Sequence, residues 1–114
     1  MVKLDDLPEE KERISLAELP EEMILKAVGE AWKEDVKDAT GRVVKTGGLV
    51  IEFITRDGKS ITQKYSKIHM RVLKDALKKL KIEDTSELQK YWCRYKRTNF
   101  RTGFPRLIPV ERVK

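Results

Sequence analysis

With 114 residues, one cysteine and one histidine, the chain can bury a single modest core, with no intrachain disulfide and no usual structural zinc site to staple it. Its net charge of +6 hides a segregation. Residues 1–40 carry 6 basic and 12 acidic side chains and residues 41–114 carry 19 and 7, so the C-terminal part attracts polyanions over about 8 Å at physiological salt.

Charged residues make up 39% of the chain, whereas Asn99, Gln63 and Gln89 are its only amides, a balance found in hyperthermophile proteins. The N-terminal MVKLDDLPEEKER lacks an apolar signal core, and no apolar run approaches the length of a membrane span. The expectation is a soluble cytoplasmic protein, monomer or homodimer, that touches no membrane.

Residues 1–19 read as an acidic N-terminal arm, and residues 20–114 as a single domain. Pro20 suits a first helical position. From there EEMILKAVGEAWKEDVKD places Ile24, Val28, Trp32 and Val36 at helical spacing, with Met23, Ala27 and Ala31 widening the same face. A helix from about Pro20 to Asp38 is predicted, ended by Thr40-Gly41. Three strands follow. Arg42 to Thr46 is short and β-branched, Gly47-Gly48 reads as a two-residue turn, and Leu49 to Arg56 returns through Asp57-Gly58 as Lys59 to Tyr65. With a two-residue hairpin loop, Ile54 faces Ile61, Glu52 faces Gln63 and Val50 faces Tyr65. Val44, Leu49, Ile51 and Phe53 then form the core face, and Lys45, Arg56, Lys59, Ile61 and Tyr65 a mixed basic and apolar surface.

Ser66 is placed to cap the helix KIHMRVLKDALKKL. Its predicted buried stripe is Ile68, Val72 or Leu73, Ala76 or Leu77, and Leu80. Lys67, Arg71, Lys74, Lys78 and Lys81 form one line on the other side, either a solvated face or a rail for a phosphate backbone. His69 has no companion ligands and reads as structural. After the break at Glu83–Ser86, helix and strand compete. Leu88, Tyr91 or Trp92, and Tyr95 share a helical face, whereas a strand sends Tyr91, Cys93 and Tyr95 one way and Trp92, Arg94 and Lys96 the other. The capping-box spacing of Ser86 and Gln89 tips the prediction to a helix over roughly 87–97. Pro105 and Pro109 confine any last strand to an edge. The predicted fold class is α+β, a hairpin-rich antiparallel sheet of three to four strands packed against about three helices.

Five of the eight aromatic residues fall between Leu88 and Val110, namely Tyr91, Trp92, Tyr95, Phe100 and Phe104. Lys90, Arg94, Lys96, Arg97, Arg101 and Arg106 are interleaved with them, and no acid occurs before Glu111. Aromatic faces stack bases while cations hold phosphates, a combination suited to single strands because duplex bases are already stacked. No phosphate-cradling glycine loop or Cys–His nucleophile arrangement is present, so the expectation is a non-enzymatic binder without cofactor or metal.

The layout of an acidic helical start, the hairpin IEFITRDGKSITQKY, a basic helix and the tail YWCRYKRTNFRTGFPR resembles the ThermoDBP-related proteins of archaea. That resemblance implies a small α/β domain binding single-stranded DNA or RNA in an apolar cleft flanked by basic residues. Candidate binding residues are Arg56, Lys59 and Tyr65 on the sheet, Lys67, Arg71 and Lys74 on the basic helix, and Trp92, Arg94, Tyr95, Arg97, Phe100, Arg101, Phe104 and Arg106 in the tail. The competing reading is a protein-interaction adaptor whose aromatic tail is core.

Overall fold

In the computed structural model residues 19–101 and 105–113 are described. Strands β1 (Glu22–Lys33), β2 (Val36–Lys37), β3 (Val43–Lys45), β4 (Gly48–Thr55) and β5 (Ser60–Tyr65) precede helix α1 (Lys67–Lys79). A 3₁₀ turn (Thr85–Gln89) and strands β6 (Trp92–Thr98) and β7 (Arg106–Val113) follow. Five strands form one antiparallel sheet in the order β5-β4-β1-β6-β7, and β2 and β3 form a separate ribbon. The fold is therefore mostly sheet with one α-helix among the described residues, not a three-to-four-stranded sheet on about three helices. The acidic arm lies outside the described residues except for Leu19, which is buried.

The largest departure is at the start. Residues predicted as a helix over Pro20–Asp38 form the 12-residue β1 and then β2. Of the expected helical stripe, Val28, Trp32 and Val36 face solvent. The buried side chains, Leu25 and Ala27, follow the two-residue period of a strand. A bulge between Ala27 and Gly29 interrupts that alternation, and residues four apart share a face in a strand as in a helix, so the apolar residues also fit a helical period. The bulge also lets one long strand pair with two neighbours. Its first part pairs with β6, from Glu22↔Lys96 to Leu25↔Cys93, and the rest pairs with β4, from Leu25↔Thr55 to Lys33↔Gly48.

In the β4–β5 hairpin, Thr55 N–H donates to Lys59 O at 2.8 Å, and Gly58 adopts φ +88°. Three residues, Arg56-Asp57-Gly58, make the turn, as in hairpins that end in a left-handed glycine. The expected two-residue loop is thus one residue short. Ile61 faces Phe53, Gln63 faces Ile51 and Tyr65 faces Leu49. That single step moves Ile61 and Tyr65 from the predicted basic surface into the core. Leu49, Ile51 and Phe53 are core as expected, while Val44 stands on the exposed β2–β3 ribbon.

The Gly47-Gly48 pair does not turn β3 back onto β4, because β3 pairs with β2. Its role is close approach. A Cβ at Gly47 would collide with the Lys33 carbonyl, and one at Gly48 would stand 2.5 Å from the Tyr65 carbonyl.

Helix α1 forms where the sequence placed it, with Leu73 and Leu77 buried. The predicted helix over 87–97 is a five-residue 3₁₀ turn followed by β6. A capping box is present, but it belongs to Asp84, whose Oδ1 accepts from Ser86 N–H at 2.9 Å, with Glu87 reaching back to Asp84 N–H. Beyond it, alternate burial of Cys93 and Tyr95 between β1 and β7 outweighs the local helical signal. Strand β7 is a sheet edge, as its prolines require, although it runs for eight residues.

Strands β1, β4 and β5 run as a meander, and β6 returns through α1 to lie beside β1, which is Greek-key order. The sheet curls until its edges β5 and β7 meet. Tyr65 Oη–H donates to Leu107 O at 2.6 Å, Leu107 N–H donates to Gln63 Oε1 at 2.9 Å, and Arg106 Nε–H donates to Lys64 O at 2.5 Å. Side chains rather than a backbone ladder close this seam, so the barrel is partly open. Phe53 and Tyr95 pack edge-to-face at 5.0 Å in its interior.

Candidate nucleic-acid interface

The barrel has one mouth where chemistry collects. A cavity of about 440 Å³ lies between the end of β1 (Trp32), the ribbon segment (Asp35, Thr46, Gly47), the start of β4 (Gly48), the start of α1 (Ser66, Lys67, Ile68, His69) and the start of β7 (Arg106). Beyond the bulge, Trp32 lies opposite Leu49 and the barrel ends, leaving the indole 55% exposed. Ile68, predicted for the buried stripe of α1, is 59% exposed.

His69 is 4% exposed and ties the mouth together. Its Nδ1 accepts from Ser66 N–H at 3.0 Å, and the Ser66 hydroxyl lies 2.8 Å from the same nitrogen. Nδ1 is therefore unprotonated, and the neutral ring carries its proton on Nε2. Burial, and then the positive charge of Arg106, hold the imidazole below its usual range. Nε2 has no hydrogen-bond partner among the described residues. The Phe100 ring packs edge-to-face on the imidazole at 4.5 Å. Phe100 thus comes from the 99–105 loop to the start of α1.

Of the candidate residues, the mouth brings together Lys67, Phe100 and Arg106. Arg71 and Lys74 lie exposed along α1 beyond Lys67, with Lys78 and Lys81 continuing the line. Lys74, Lys78 and Lys81 edge a second groove of about 660 Å³ that also includes Met70, Leu77 and Ile82. Arg101 is exposed, and Phe104 lies outside the described residues.

The other candidates have structural employment. Tyr65 and Tyr95 are fully buried, which removes both from any stacking surface. Burial raises both hydroxyl pKa values far above the usual range. Arg94 lies between Glu22 at 3.5 Å and Glu111 at 3.3 Å, with its charge already neutralised. The Arg97 guanidinium donates to Leu19 O at 2.7 Å and pins the incoming chain. Trp92 is half-buried beneath the Arg56 guanidinium, 5.5 Å from the ring centre, at the hairpin end of β4 and away from the mouth. Lys59 belongs to that same end, 3.9 Å from Asp57. The structure therefore divides the tail, whose strand residues hold the sheet while Phe100 packs at the start of α1.

Trp32, Ile68 and His69 were not among the candidates. The helical reading of β1 consigned Trp32 to an apolar stripe. Gly29, in the middle of that stripe, was the available signal of a bulge. No signal in the sequence places His69 beside Phe100.

Among the described residues no group of three or more His, Cys, Asp or Glu side chains could hold a metal ion, and no helix is long and apolar enough to cross a membrane. Comparison with family models, with curated proteins and with solved structures found no match.

Proposed function

We propose that this protein is a non-enzymatic, largely sequence-independent single-strand nucleic-acid-binding protein that grips its ligand at the barrel mouth. The observation that carries the reading is the convergence of an exposed tryptophan and the cationic start of α1 on one cavity, with a loop phenylalanine packed on the His69 that lines it. Trp32 offers a stacking face, Lys67 offers phosphate contact, and Arg101, next to Phe100 in sequence, is exposed. The line from Lys67 to Lys81 continues from the cavity as a track for the backbone of a longer strand.

The architecture is compatible with this. A five-stranded, partly open Greek-key barrel is the OB-type arrangement, which binds oligonucleotides with the loops after its first and fourth strands. The equivalent loops here are 34–47, which supplies Asp35, Thr46 and Gly47 to the mouth, and 99–105, whose Phe100 packs on His69. Fold analogy is weaker support than the site itself. Of the layout elements shared with the ThermoDBP-related proteins, the hairpin and the basic helix are present and the helical start is a strand. The proposal therefore rests on the mouth.

Fluorescence anisotropy with oligo-dT, the matching duplex and single-stranded RNA, each over a salt series, tests it. Tighter binding to single strands and an affinity that falls with salt are expected. Equal or better binding to duplex overturns the single-strand reading, and salt-independent affinity overturns the phosphate contacts.

The exposed valines of the ribbon, Val36, Val43 and Val44, favour a second reading, contact with a protein partner. Loss of oligo-dT binding on replacing Trp32, with none on replacing Val44 by Thr, separates the two.

A further inference from the structure

Helix α1 begins in a way that works against its own stability. Carboxylates favour a helix N-terminus and cations oppose it. The first turn of α1 has no acid, its first residue is Lys67, and Arg71 follows one turn later. His69 and Met70 N–H donate to Ser66 O at 3.0 and 2.9 Å, whereas Lys67 and Ile68 N–H have no acceptor among the described residues. Both of these residues line the mouth cavity.

A second, independent feature belongs to a residue that lines the same space. His69 lines the cavity, is 4% exposed and carries its proton on an Nε2 that has no partner. A buried donor left unpaired costs about 1–3 kcal/mol, so an acceptor arriving in the cavity recovers that loss. Two orphan backbone donors, one buried imidazole donor and the Lys67 ammonium together form a cluster of donors without a resident acceptor among the described residues. Asp35, the one acid among the described residues that line the cavity, lies on the ribbon wall with its Oδ1 held by Gly47 N–H at 2.7 Å. The cavity is thus polarised, with an acid on the ribbon side and donors on the helix side. Trp32 and Ile68 supply its exposed apolar surface.

We propose that the mouth is a nucleotide-binding subsite, with the phosphoryl group held by the α1 N-terminus, Lys67 and His69 Nε2–H, and the base lying against Trp32. This rests on the single-strand reading only in taking the nucleotide to be one unit of a bound strand. The cavity, at about 440 Å³, is in the range of small-ligand sites. The phosphoryl group supplies the anion that the helix start lacks, and no step makes or breaks a covalent bond.

The test is a titration of the ¹⁵N-labelled protein with inorganic phosphate, thymidine and thymidine monophosphate, read at the amides of Lys67 and Ile68 and at the Trp32 indole. Thymidine monophosphate should shift all three signals, phosphate only the two amides, and thymidine only the indole, with the monophosphate binding at least tenfold more tightly than either part. Ile68→Asp is the informative variant, because an acid in the first turn suits the helix while repelling phosphate. It should keep or raise the unfolding midpoint and weaken monophosphate binding at least tenfold. Lys67→Ala, at an exposed position, should weaken phosphate and leave thymidine unchanged.

Unshifted Lys67 and Ile68 amides at saturating monophosphate overturn the subsite, and so does an Ile68→Asp variant that binds as well as wild type. Oligo-dT run in parallel keeps the two proposals apart. Oligo-dT binding without amide shifts defeats the subsite alone, and amide shifts with monophosphate but no oligo-dT binding defeat the single-strand reading alone.

Discussion

The Tyr65 hydroxyl donates to the Leu107 carbonyl at 2.6 Å, joining the two edge strands of the sheet across 42 positions of sequence. Tyr95, also fully buried, has a hydroxyl with no partner among the described residues. Two tyrosines in one barrel interior should therefore respond oppositely to loss of the same atom. Tyr65→Phe leaves a seam carbonyl unpaired and should lower unfolding free energy by about 1–3 kcal/mol. Tyr95→Phe removes an unsatisfied group and should be neutral or stabilising, by up to about 1 kcal/mol. Urea midpoints at neutral pH check this, and equal destabilisation by both changes overturns the assignment of the seam bond.

Both tyrosines came from sequence stretches that looked functional, and why they are not explains much of what the sequence hid. Tyr65 depended on one residue of hairpin loop, since Asp57-Gly58 signals a turn but does not say whether Arg56 belongs to it. Helix α1 was legible because its cap, stripe and polar line all agree. Strand β1 was not, because Ile24, Val28, Trp32 and Val36, four apart, share a face in either structure, and the Ala27–Gly29 bulge breaks the alternation that marks a strand. Phe100, Lys67 and Arg106 were found from residue type alone. Trp32 and His69 were missed because their meeting with those residues depends on curling the sheet, a long-range event with no local signature.

Trp32 gives the next prediction. Its indole is more than half exposed at the end of β1, so the barrel does not need it. Trp32→Ala should leave the urea midpoint within about 0.5 kcal/mol of wild type. The same change should weaken oligo-dT binding by roughly 5- to 150-fold, the value of one stacked base. Trp92→Phe, at the far end of β4, should bind normally. Wild-type affinity in Trp32→Ala moves the stacking surface elsewhere.

His69 sets a pH dependence of stability. Its native pKa is lowered by burial, and then by Arg106, from an ordinary value of 6.5. The native state resists a proton that the unfolded chain accepts, so this contribution is complete above pH 6.5 and declines as pH falls from 6.5 toward the native value. Protonation at Nδ1 also opposes Ser66 N–H, which now donates to that atom. His69→Gln, whose amide oxygen can take the same capping bond, should flatten the urea midpoint between pH 7.5 and 5. Asp38, Asp57 and Asp84 do not confuse the measurement. Their pKa values are lowered from 3.8, chiefly by hydrogen bonds, so their contributions are lost only at still lower pH. Identical pH profiles for wild type and His69→Gln overturn the assignment.

The line of cations on α1 has a signature that the mouth does not share. Lys74, Lys78 and Lys81 are exposed beside an apolar groove and carry no ion pair among the described residues. If the strand's backbone follows them, replacing all three by Ala should lower the slope of log affinity against log salt by about 2, from roughly 0.7 for each phosphate released. Affinity for a short ligand confined to the mouth should stay the same. A dT₃ and a dT₁₅ therefore separate the two regions, with the triple variant weakening only the longer one. Equal loss for both lengths means the lysines act through the field of the whole protein, and no loss for either means the strand leaves the mouth in another direction.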